Sequence, residues 1–445
     1  MKNKIIIGRP GIKKVDSEVF GESARLCADV TMINPNTGKK ETKECYFDFD
    51  LKYEKYLTIE RSDAFIMGLL TSAMENNADI EFEVPISEEL YYTMTTQYIP
   101  LIAKFNSKYP MHNISLIGPH SNSIIKNVGG VATGCSGGVD SFYTISKFNS
   151  DYEIKNRRLT HLVLSSIGTG DDSRDRIIKT FKENINYINQ IASDSELDLI
   201  ACFTNLYEFY KRPLDSFVTF YTNIYGSVAY ALQKLLSIYY INSGDPISEF
   251  NLDVKMAHGY DASTFDVLTS SCMHTESLHF YTTGMDFDRI DKENYISNNP
   301  VARKYLKVCN LDEFKEEKME KPNCSICPKC LRTMTQLYAL RKLELYSDVF
   351  DVNSFLKHKG KYFGKFVATN KRAYVKETMD SAKNNGVKIP IGTYFYSYLW
   401  YKPIKFLRKK LKNVLFLRKI YYKLNIDYKL DGYRGANYQK YKDKI

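Results

Sequence analysis

The sequence has no long run of apolar residues. None of its stretches approaches the roughly eighteen consecutive apolar residues that a membrane-spanning helix requires. The first residues, MKNKIIIGRPG, contain only three consecutive apolar residues before Gly8, so they do not predict a signal peptide. Internal repeats and low-complexity segments are also absent. These absences predict a cytoplasmic globular protein.

A disulfide scaffold is also not predicted, because nine cysteines are spread over 445 residues without an export signal. Such thiols belong to the core, bind a metal or react. Five of them are scattered, at Cys27, Cys45, Cys135, Cys202 and Cys272. The other four lie between residues 309 and 330, and their spacing is typical of a metal-binding site.

Basic residues exceed acidic ones only at the C-terminus. The net charge is +10, and residues 402–445 alone contain fourteen Lys or Arg against three Asp. The rest of the chain is balanced to within one charge and does not predict a nucleic-acid surface. The tail has three interpretations: a helix docked on its own protein, a helix on an anionic membrane surface, or a nucleic-acid-binding helix. Its aromatic residues and apolar stripe favour lipid over nucleic acid.

The pattern of apolar segments changes along the chain. Residues 1–125 combine β-like runs with two helix-like segments and predict an N-terminal α+β domain. Strands then alternate with helices through residues 126–345, which predicts an α/β domain with a Rossmann-like, doubly wound parallel sheet. Residues 346–401 predict a helical extension, and residues 402–445 predict a basic amphipathic tail. Ligands of such sheets bind at the carboxyl ends of the strands.

A glycine-serine loop, GCSGGVDSF at residues 134–142, follows the first strand of the α/β region. Glycines let the backbone approach a phosphate closely, and the helix predicted to begin near Asp140 adds free N–H groups and a partial positive charge. A carboxylate at Asp140 is a potential magnesium ligand. A plain strand-to-helix turn is the alternative, but the string S-G-G-x-D-S is too specific to favour it. The loop therefore predicts an anion site.

This string resembles the pyrophosphate loop of the N-type ATP pyrophosphatase superfamily, whose fold is that of the adenine nucleotide alpha hydrolases. The Walker-type alternative, G-x-x-x-x-G-K-[ST], does not occur. The resemblance implies ATP cleavage between the α and β phosphates, with Asp140 holding Mg²⁺ and acting with Ser136 and Ser141 in catalysis. The nucleotide-binding residues that it implies are Ser136, Gly137, Gly138, Val139, Asp140 and Ser141, and, on the next strand, Ser165, Ser166 and Ile167.

Four cysteines, Cys309, Cys324, Cys327 and Cys330, form a C-x14-C-x2-C-x2-C block. This spacing can close a tetrahedral zinc shell of four thiolates, which leaves no open position and therefore predicts a structural Zn²⁺. Core thiols, a redox pair or an iron–sulfur cluster are the alternatives. With S-G-G-x-D-S upstream and Arg332 after the last cysteine, residues 129–335 resemble 7-cyano-7-deazaguanine synthases, although Ser325 stands where that family usually has Gly.

The resemblance implies an ATP-dependent ligase that forms C–N bonds. It would adenylate a small-molecule carboxylate or carbonyl oxygen, release pyrophosphate, and let ammonia or an amine displace AMP. The alternatives are RNA base modification by thiolation or amination, and a non-catalytic ATP-binding protein attached peripherally to the inner face of the membrane. The balanced charge of the body does not favour a nucleic-acid partner.

Further polar residues are weaker candidates for a functional role. Arg289 and Lys292 precede the cysteine block and could contact substrate or phosphate, although a solvated helix start is the simpler interpretation. His258 and His274 could each act as a base, although isolated histidines are usually ordinary polar groups.

Overall fold

The computed structural model describes residues 2–105, 110–166, 173–210, 213–252, 262–309 and 321–413. The chain forms two compact units. Unit 1 contains the residues up to Ser136 together with Lys147–Asp286. Unit 2 contains Gly137–Ser146 and the described residues from Phe287 onward. The chain therefore crosses from unit 1 to unit 2 within the glycine-serine loop.

Unit 1 is built on a large mixed sheet. Its strands are β1 Asn3–Ile7, β2 Gly11–Ser17, β3 Gly21–Asn34, β4 Lys39–Asp50, β5 Ala78–Phe82, β6 Ile86–Ser87, β7 Leu116–Ile117, β8 His120–Ser121, β9 Gly130–Gly134, β10 His161–Ser166, β11 Asp198–Thr204, β12 Leu236–Asn242 and β13 His279–Thr283. The main sheet has the order β13-β12-β9-β10-β11-β4-β3-β1-β5-β7, with β2 paired to β3. A separate small sheet pairs β6 with β8.

The five strands from β9 to β13 are all parallel to one another and form one end of the sheet, while β1, β5 and β7 are paired in parallel at the other end. Renumbered from β9, the spatial order of the five strands is 3-2-1-4-5, which is the order of a doubly wound nucleotide-binding sheet. The topological switch point, at which the order of successive strands reverses, lies between β9 and β12. Sheets of this kind bind ligands at this point. The predicted α/β class is confirmed, and the glycine-serine loop starts at the carboxyl end of β9.

Strands from both sides of residue 125 share this sheet. β4 is antiparallel to β11, with Phe47 opposite Thr204 and Phe49 opposite Cys202. The hydrophobic core is likewise shared, since it includes Phe47 and Phe65 from the first part and Ala132 from β9. The predicted boundary at residue 125 therefore falls inside unit 1.

Helices cover the sheet of unit 1 and make up most of unit 2. They are α1 Asp63–Asn76, α2 Glu88–Thr93, α3 Ile99–Phe105, α4 Val139–Lys147, α5 Arg174–Asp194, α6 Pro213–Ala231, α7 Asp266–Ser271, α8 Arg289–Ile296, α9 Pro300–Tyr305, α10 Pro328–Ala339, α11 Val352–Lys357, α12 Lys359–Thr369, α13 Arg372–Asn384, α14 Gly392–Phe395 and α15 Lys402–Asn413. Along the described parts of the chain, none is long and apolar enough to cross a membrane.

Helix α10 is central to unit 2, where it packs against α8, α12 and α13. Leu331, Met334 and Leu337 recur every three residues along α10, so they lie on one side of the helix and are buried. Helix α12 in turn packs against α14 and against the π-helical turn Tyr396–Tyr401, which leads into α15. Two glycines of α12, Gly360 and Gly364, face this contact. Their spacing of four residues places both on one side of the helix.

Gly364 is the residue that permits the closest approach. A Cβ at this position would lie 2.5 Å from the Cβ of Tyr396 and 2.8 Å from the carbonyl oxygen of Thr393. We expect Gly364→Ala to lower the free energy of unfolding by about 2 kcal/mol because the helices must separate. Urea denaturation followed by tryptophan fluorescence measures the change.

Gly360→Ala is the matched control for this prediction. A Cβ there would lie 3.4 Å from the Cα of Gly392, which is an ordinary contact. Alanine is better than glycine in a helix by about 1 kcal/mol, so this variant should be as stable as the parent protein or slightly more stable. Equal stability of the two variants would contradict the described packing.

Candidate active site and metal centre

The glycine-serine loop connects β9 to α4. Gly137 has a φ of +71°, in the left-handed region that favours glycine over residues with a side chain. Its carbonyl oxygen accepts a hydrogen bond of 2.8 Å from the backbone N–H of Lys307. The Ser141 hydroxyl donates to the carbonyl oxygen of Gly138 at 3.2 Å. Helix α4 begins at Val139, so the positive end of its dipole lies beside Gly137 and Gly138.

Asp140 is held by two cations. Its Oδ1 lies 3.1 Å from Nζ of Lys292, and its Oδ2 lies 3.0 Å from a guanidinium nitrogen of Arg289. Lys292 is completely buried, and the Arg289 side chain is nearly so. Arg289 also contacts Glu293 at 3.3 Å, one helical turn along α8. Arg289 and Lys292 lie in the first turn of α8, as predicted for a helix start, but their side chains are buried against the aspartate of the loop and are not solvated.

The charges of this cluster shift the pKa values of its two carboxyl groups in opposite directions. Burial would raise the pKa of Asp140, but the fields of Lys292 and Arg289 outweigh it and hold the pKa below its usual value. Burial dominates at Glu293 and raises its pKa to about 7, although Arg289 and Arg332 oppose it. Asp140 is therefore ionised at neutral pH, whereas Glu293 is only partly ionised.

Arg332 is a half-buried cation near the carboxyl groups of this cluster. Its Nε atom is buried and has no hydrogen-bond partner among the described residues. Its guanidinium group lies 4.8 Å from the centre of the Tyr374 ring. Because a buried guanidinium N–H favours a hydrogen-bonded anion, the Nε atom indicates a site for an anionic ligand.

The cluster as a whole has more positive than negative groups. Three cations, Arg289, Lys292 and Arg332, face two carboxyl groups, and the second of these is only partly ionised at neutral pH. An excess of buried positive charge is compensated when an anion such as a phosphate group binds. The cluster and residues 137–141 of the loop belong to the same compact unit.

Magnesium could bind Asp140 only if one of its two ion pairs opened. Both carboxylate oxygens already accept from a cation, and a metal ion would have to displace at least one of them. The arrangement assigns charge neutralisation near the loop to the three cations of unit 2. Magnesium at Asp140 therefore stays a prediction from the resemblance.

The four cysteines of the block come together, as predicted. Their sulfur atoms all lie within 4.8 Å of one another, with Cys309 to Cys327 at 3.9 Å, Cys324 to Cys330 at 3.8 Å and Cys327 to Cys330 at 3.4 Å. A tetrahedral zinc ion with Zn–S bonds of about 2.3 Å requires sulfur–sulfur distances of about 3.8 Å. The cluster therefore fits zinc as a metal site closed by four thiolates.

The cysteine cluster also fixes the start of α10. Cys327 caps this helix by accepting from the backbone N–H of Cys330 at 3.5 Å, and Cys324 accepts from the N–H of Cys327 at 3.3 Å. Such N–H···S hydrogen bonds orient the sulfurs that would bind a metal ion. Arg332 follows Cys330 by two residues, so the metal site and this guanidinium group share the first turns of one helix.

Asn323 connects the cysteine cluster to the glycine loop. Its side-chain oxygen accepts from the N–H groups of Val308 and Cys309 at 2.8 and 3.1 Å, and its amide donates to the carbonyl of Leu306 at 2.7 Å. The intervening residue, Lys307, donates to Gly137. Nothing in the sequence distinguishes this buried asparagine from any polar residue beside a turn.

The remaining candidates lie in unit 1 or outside the described residues. Ser165 and Ser166 end β10, and the Ser165 hydroxyl is buried without a hydrogen-bond partner among the described residues. His274 accepts from the backbone N–H of Phe280 at 3.3 Å, and burial together with His279 lowers its pKa, which suits a neutral structural group. Ile167 and His258 lie outside the described residues.

The zinc site makes a direct prediction. We expect one zinc ion per chain by elemental analysis, and Cys324→Ser should lose it and lower the Tm by about 10 °C, because metal binding contributes to folding. Cys27→Ser, which removes a buried thiol of unit 1, should keep its zinc. A protein without bound metal, or one that contains iron and absorbs visible light, would contradict the zinc assignment.

Glu293 makes a prediction about pH. Its pKa in the folded chain, about 7, exceeds the reference value of 4.5, so the folded protein binds more protons than the unfolded one between these values. Stability should therefore fall as the pH rises through this window, and Glu293→Gln should remove about 2 kcal/mol of that decline. Urea denaturation at pH 5 and pH 8 tests this, and the same pH dependence in both proteins would contradict it.

No protein-family model matches the chain, and neither a curated protein nor a solved structure was found to be similar to it. Its function is therefore inferred from its own residues. These are the glycine-serine loop, the buried charges around Asp140, and the four thiols at the start of α10.

Proposed function

We propose that this chain is an ATP pyrophosphatase-type ligase that adenylates a carboxylate or carbonyl oxygen. The observation that carries the proposal is Arg332, a half-buried cation whose buried Nε atom has no hydrogen-bond partner, in the same charged cluster as the aspartate of the S-G-G-x-D-S loop. The phosphate chain of a nucleotide has the charge and the geometry that such a cation binds. The strand order of unit 1 is also that of sheets that bind nucleotides.

The proposed reaction has two steps, adenylation and amine transfer. A carboxylate oxygen of the substrate attacks the α-phosphorus of ATP, the bond to the bridging oxygen of the β-phosphate breaks, and pyrophosphate leaves with its electron pair. Ammonia or an amine then attacks the acyl carbon, the acyl–oxygen bond to AMP breaks, and the nitrogen loses a proton. Adenylation is needed because AMP is a much better leaving group than an oxide ion.

The residues of unit 2 would stabilise the first step through charge. Negative charge grows on the departing pyrophosphate in the transition state, and preorganised cations in a buried site stabilise it without reorganising. Arg289, Lys292 and Arg332 would supply that charge. Two of them now contact Asp140, so arrival of the phosphates would replace one anionic partner by another.

Backbone groups of the loop would complete the phosphate site. The positive φ of Gly137 and the missing side chains of Gly137 and Gly138 let phosphate oxygens approach the start of α4. The Ser136 side chain is exposed, and the Ser141 hydroxyl lies in the first turn of the helix. Adenosine binding by Ser165, Ser166 and Ile167 stays a prediction. A zinc ion in the cysteine cluster, when bound, would hold α10 and thereby position Arg332.

Pyrophosphate release from ATP tests the proposal. The purified protein is incubated with a panel of small carboxylates, each with ammonia, and separately with tRNA. With an accepted substrate, we expect Arg332→Met to lower kcat/KM by about 10²- to 10³-fold because a cation is lost from the transition state. Arg332→Lys should restore part of the activity, since it keeps the charge but not the planar fork.

Arg303→Met is the matched control, because Arg303 also lies in unit 2 but donates to the carbonyl of Ser297 at 2.7 Å. It should keep nearly full activity. Zinc content and Tm must be unchanged in every variant compared. Activity that survives both Arg332→Met and Asp140→Ala would contradict the proposed site. Binding of ATP without release from any substrate would favour the non-catalytic alternative, and release only with tRNA would favour base modification.

A further inference from the structure

One helical segment of unit 2 exposes an apolar surface. Helix α14, the π-helical turn and α15 follow each other without a break from Gly392 to Asn413. One side of this segment is buried through Thr393, Ser397 and Tyr401, and the segment packs against α12. Small residues at this contact, including Gly364, bring the backbones close together. The opposite side carries large apolar residues that this packing leaves exposed.

We define the apolar surface as Ile391, Phe395, Leu399, Trp400, Phe406 and Leu407. Each of these side chains is more than half exposed, and Ile391 is 99% exposed. They alternate with Tyr394 and Tyr398, which are exposed to a similar degree. Single apolar residues are common on protein surfaces, but six large apolar side chains exposed along one helical segment indicate an interaction site.

Basic side chains surround the apolar surface, and acidic ones are absent from this part of the sequence. Residues 381–413 contain no Asp or Glu. Lys402 places its ammonium group 3.6 Å from the centre of the Tyr398 ring, and Lys410 lies 4.8 Å from that of Phe406. Both lysines are exposed, so each ammonium group contacts an aromatic ring and is also accessible to an anionic partner.

The combination of these side chains selects one kind of partner. Trp and Tyr prefer the boundary between hydrocarbon and water, aliphatic side chains enter the acyl region, and lysines attract anionic headgroups. A helical segment of 22 residues is about 33 Å long and can lie flat on a bilayer along its whole length. Nucleic acid would contact the lysines but would leave Ile391, Leu399 and Leu407 in water.

We propose that this apolar surface binds the plane of an anionic phospholipid bilayer. The apolar side chains would enter the boundary between headgroups and acyl chains, and Lys402 and Lys410 would contact lipid phosphates and carboxylates. The proposal is independent of the proposed adenylation reaction, because none of the residues of the apolar surface belongs to the cluster around Asp140. It places the protein at a membrane surface and makes no claim about a substrate.

Trp400 reports on this surface directly, because it is the only tryptophan of the chain. We expect its emission to shift to shorter wavelength when the full-length protein meets vesicles of phosphatidylcholine with about 30% phosphatidylserine at low salt, and the protein to sediment with them. Pure phosphatidylcholine vesicles should bind at least tenfold more weakly. Raising the salt to about 0.5 M should weaken the binding to anionic vesicles.

Two sets of variants locate the contact. Leu399→Ser combined with Phe406→Ser should weaken sedimentation by at least tenfold, because burial of each side chain contributes to binding. Lys402→Gln combined with Lys410→Gln should remove most of the salt dependence. Leu345→Ser is the control, since Leu345 is an exposed leucine of unit 2 outside the apolar surface. It should bind like the parent protein.

Three results would overturn the proposal. The first is an unchanged Trp400 emission with anionic vesicles at low salt. The second is equal vesicle binding by the parent protein and the Leu399→Ser/Phe406→Ser variant, which would place the contact elsewhere in the chain. The third is a blue shift of Trp400 that accompanies dimerisation without lipid, or that requires tRNA, since either would assign the surface to a different partner.

Discussion

Lys292 is completely buried, and its ammonium group lies 3.1 Å from a carboxylate oxygen of Asp140. A buried charge that loses its partner costs about 3–5 kcal/mol, so this pair ties α4 to α8 and keeps the two helices together. Arg289 strengthens the connection through the other oxygen of the same carboxylate. The position of the glycine loop in unit 2 depends on this pairing, because the loop ends where α4 begins.

The residues beside the cysteine cluster also hold the glycine loop. Asn323 holds the backbone at residues 306–309, and this backbone holds Gly137 through Lys307. The cluster also starts α10, which carries Arg332, and Thr333 donates to Glu293 at 3.1 Å. A zinc ion would therefore act at a distance from the chemistry, by fixing the helix and the turn that present groups to a ligand. Loss of the metal should disturb the charged cluster as well as stability.

Local patterns in the sequence predicted part of this arrangement. The alternation of strands and helices predicted the α/β sheet, and the spacing of Cys324, Cys327 and Cys330 predicted a cluster, since both depend on neighbours in the chain. The pairing of β4 with β11 joins segments about 150 residues apart, and no local pattern reveals it. The sequence assigns Arg332 to a family block but gives it no role, because only the folded structure shows that its Nε atom is buried without a hydrogen-bond partner.

The proposed function requires the phosphate chain of ATP to bind Arg332 and the two cations that contact Asp140. A crystal structure with α,β-methylene ATP, in which the bond to be broken is replaced, tests this most directly. We predict phosphate oxygens within hydrogen-bond distance of Arg332 and of the backbone at Gly137 and Gly138, with at least one of the two ion pairs of Asp140 opened. A nucleotide bound elsewhere, with both ion pairs intact and Arg332 unchanged, would contradict the account.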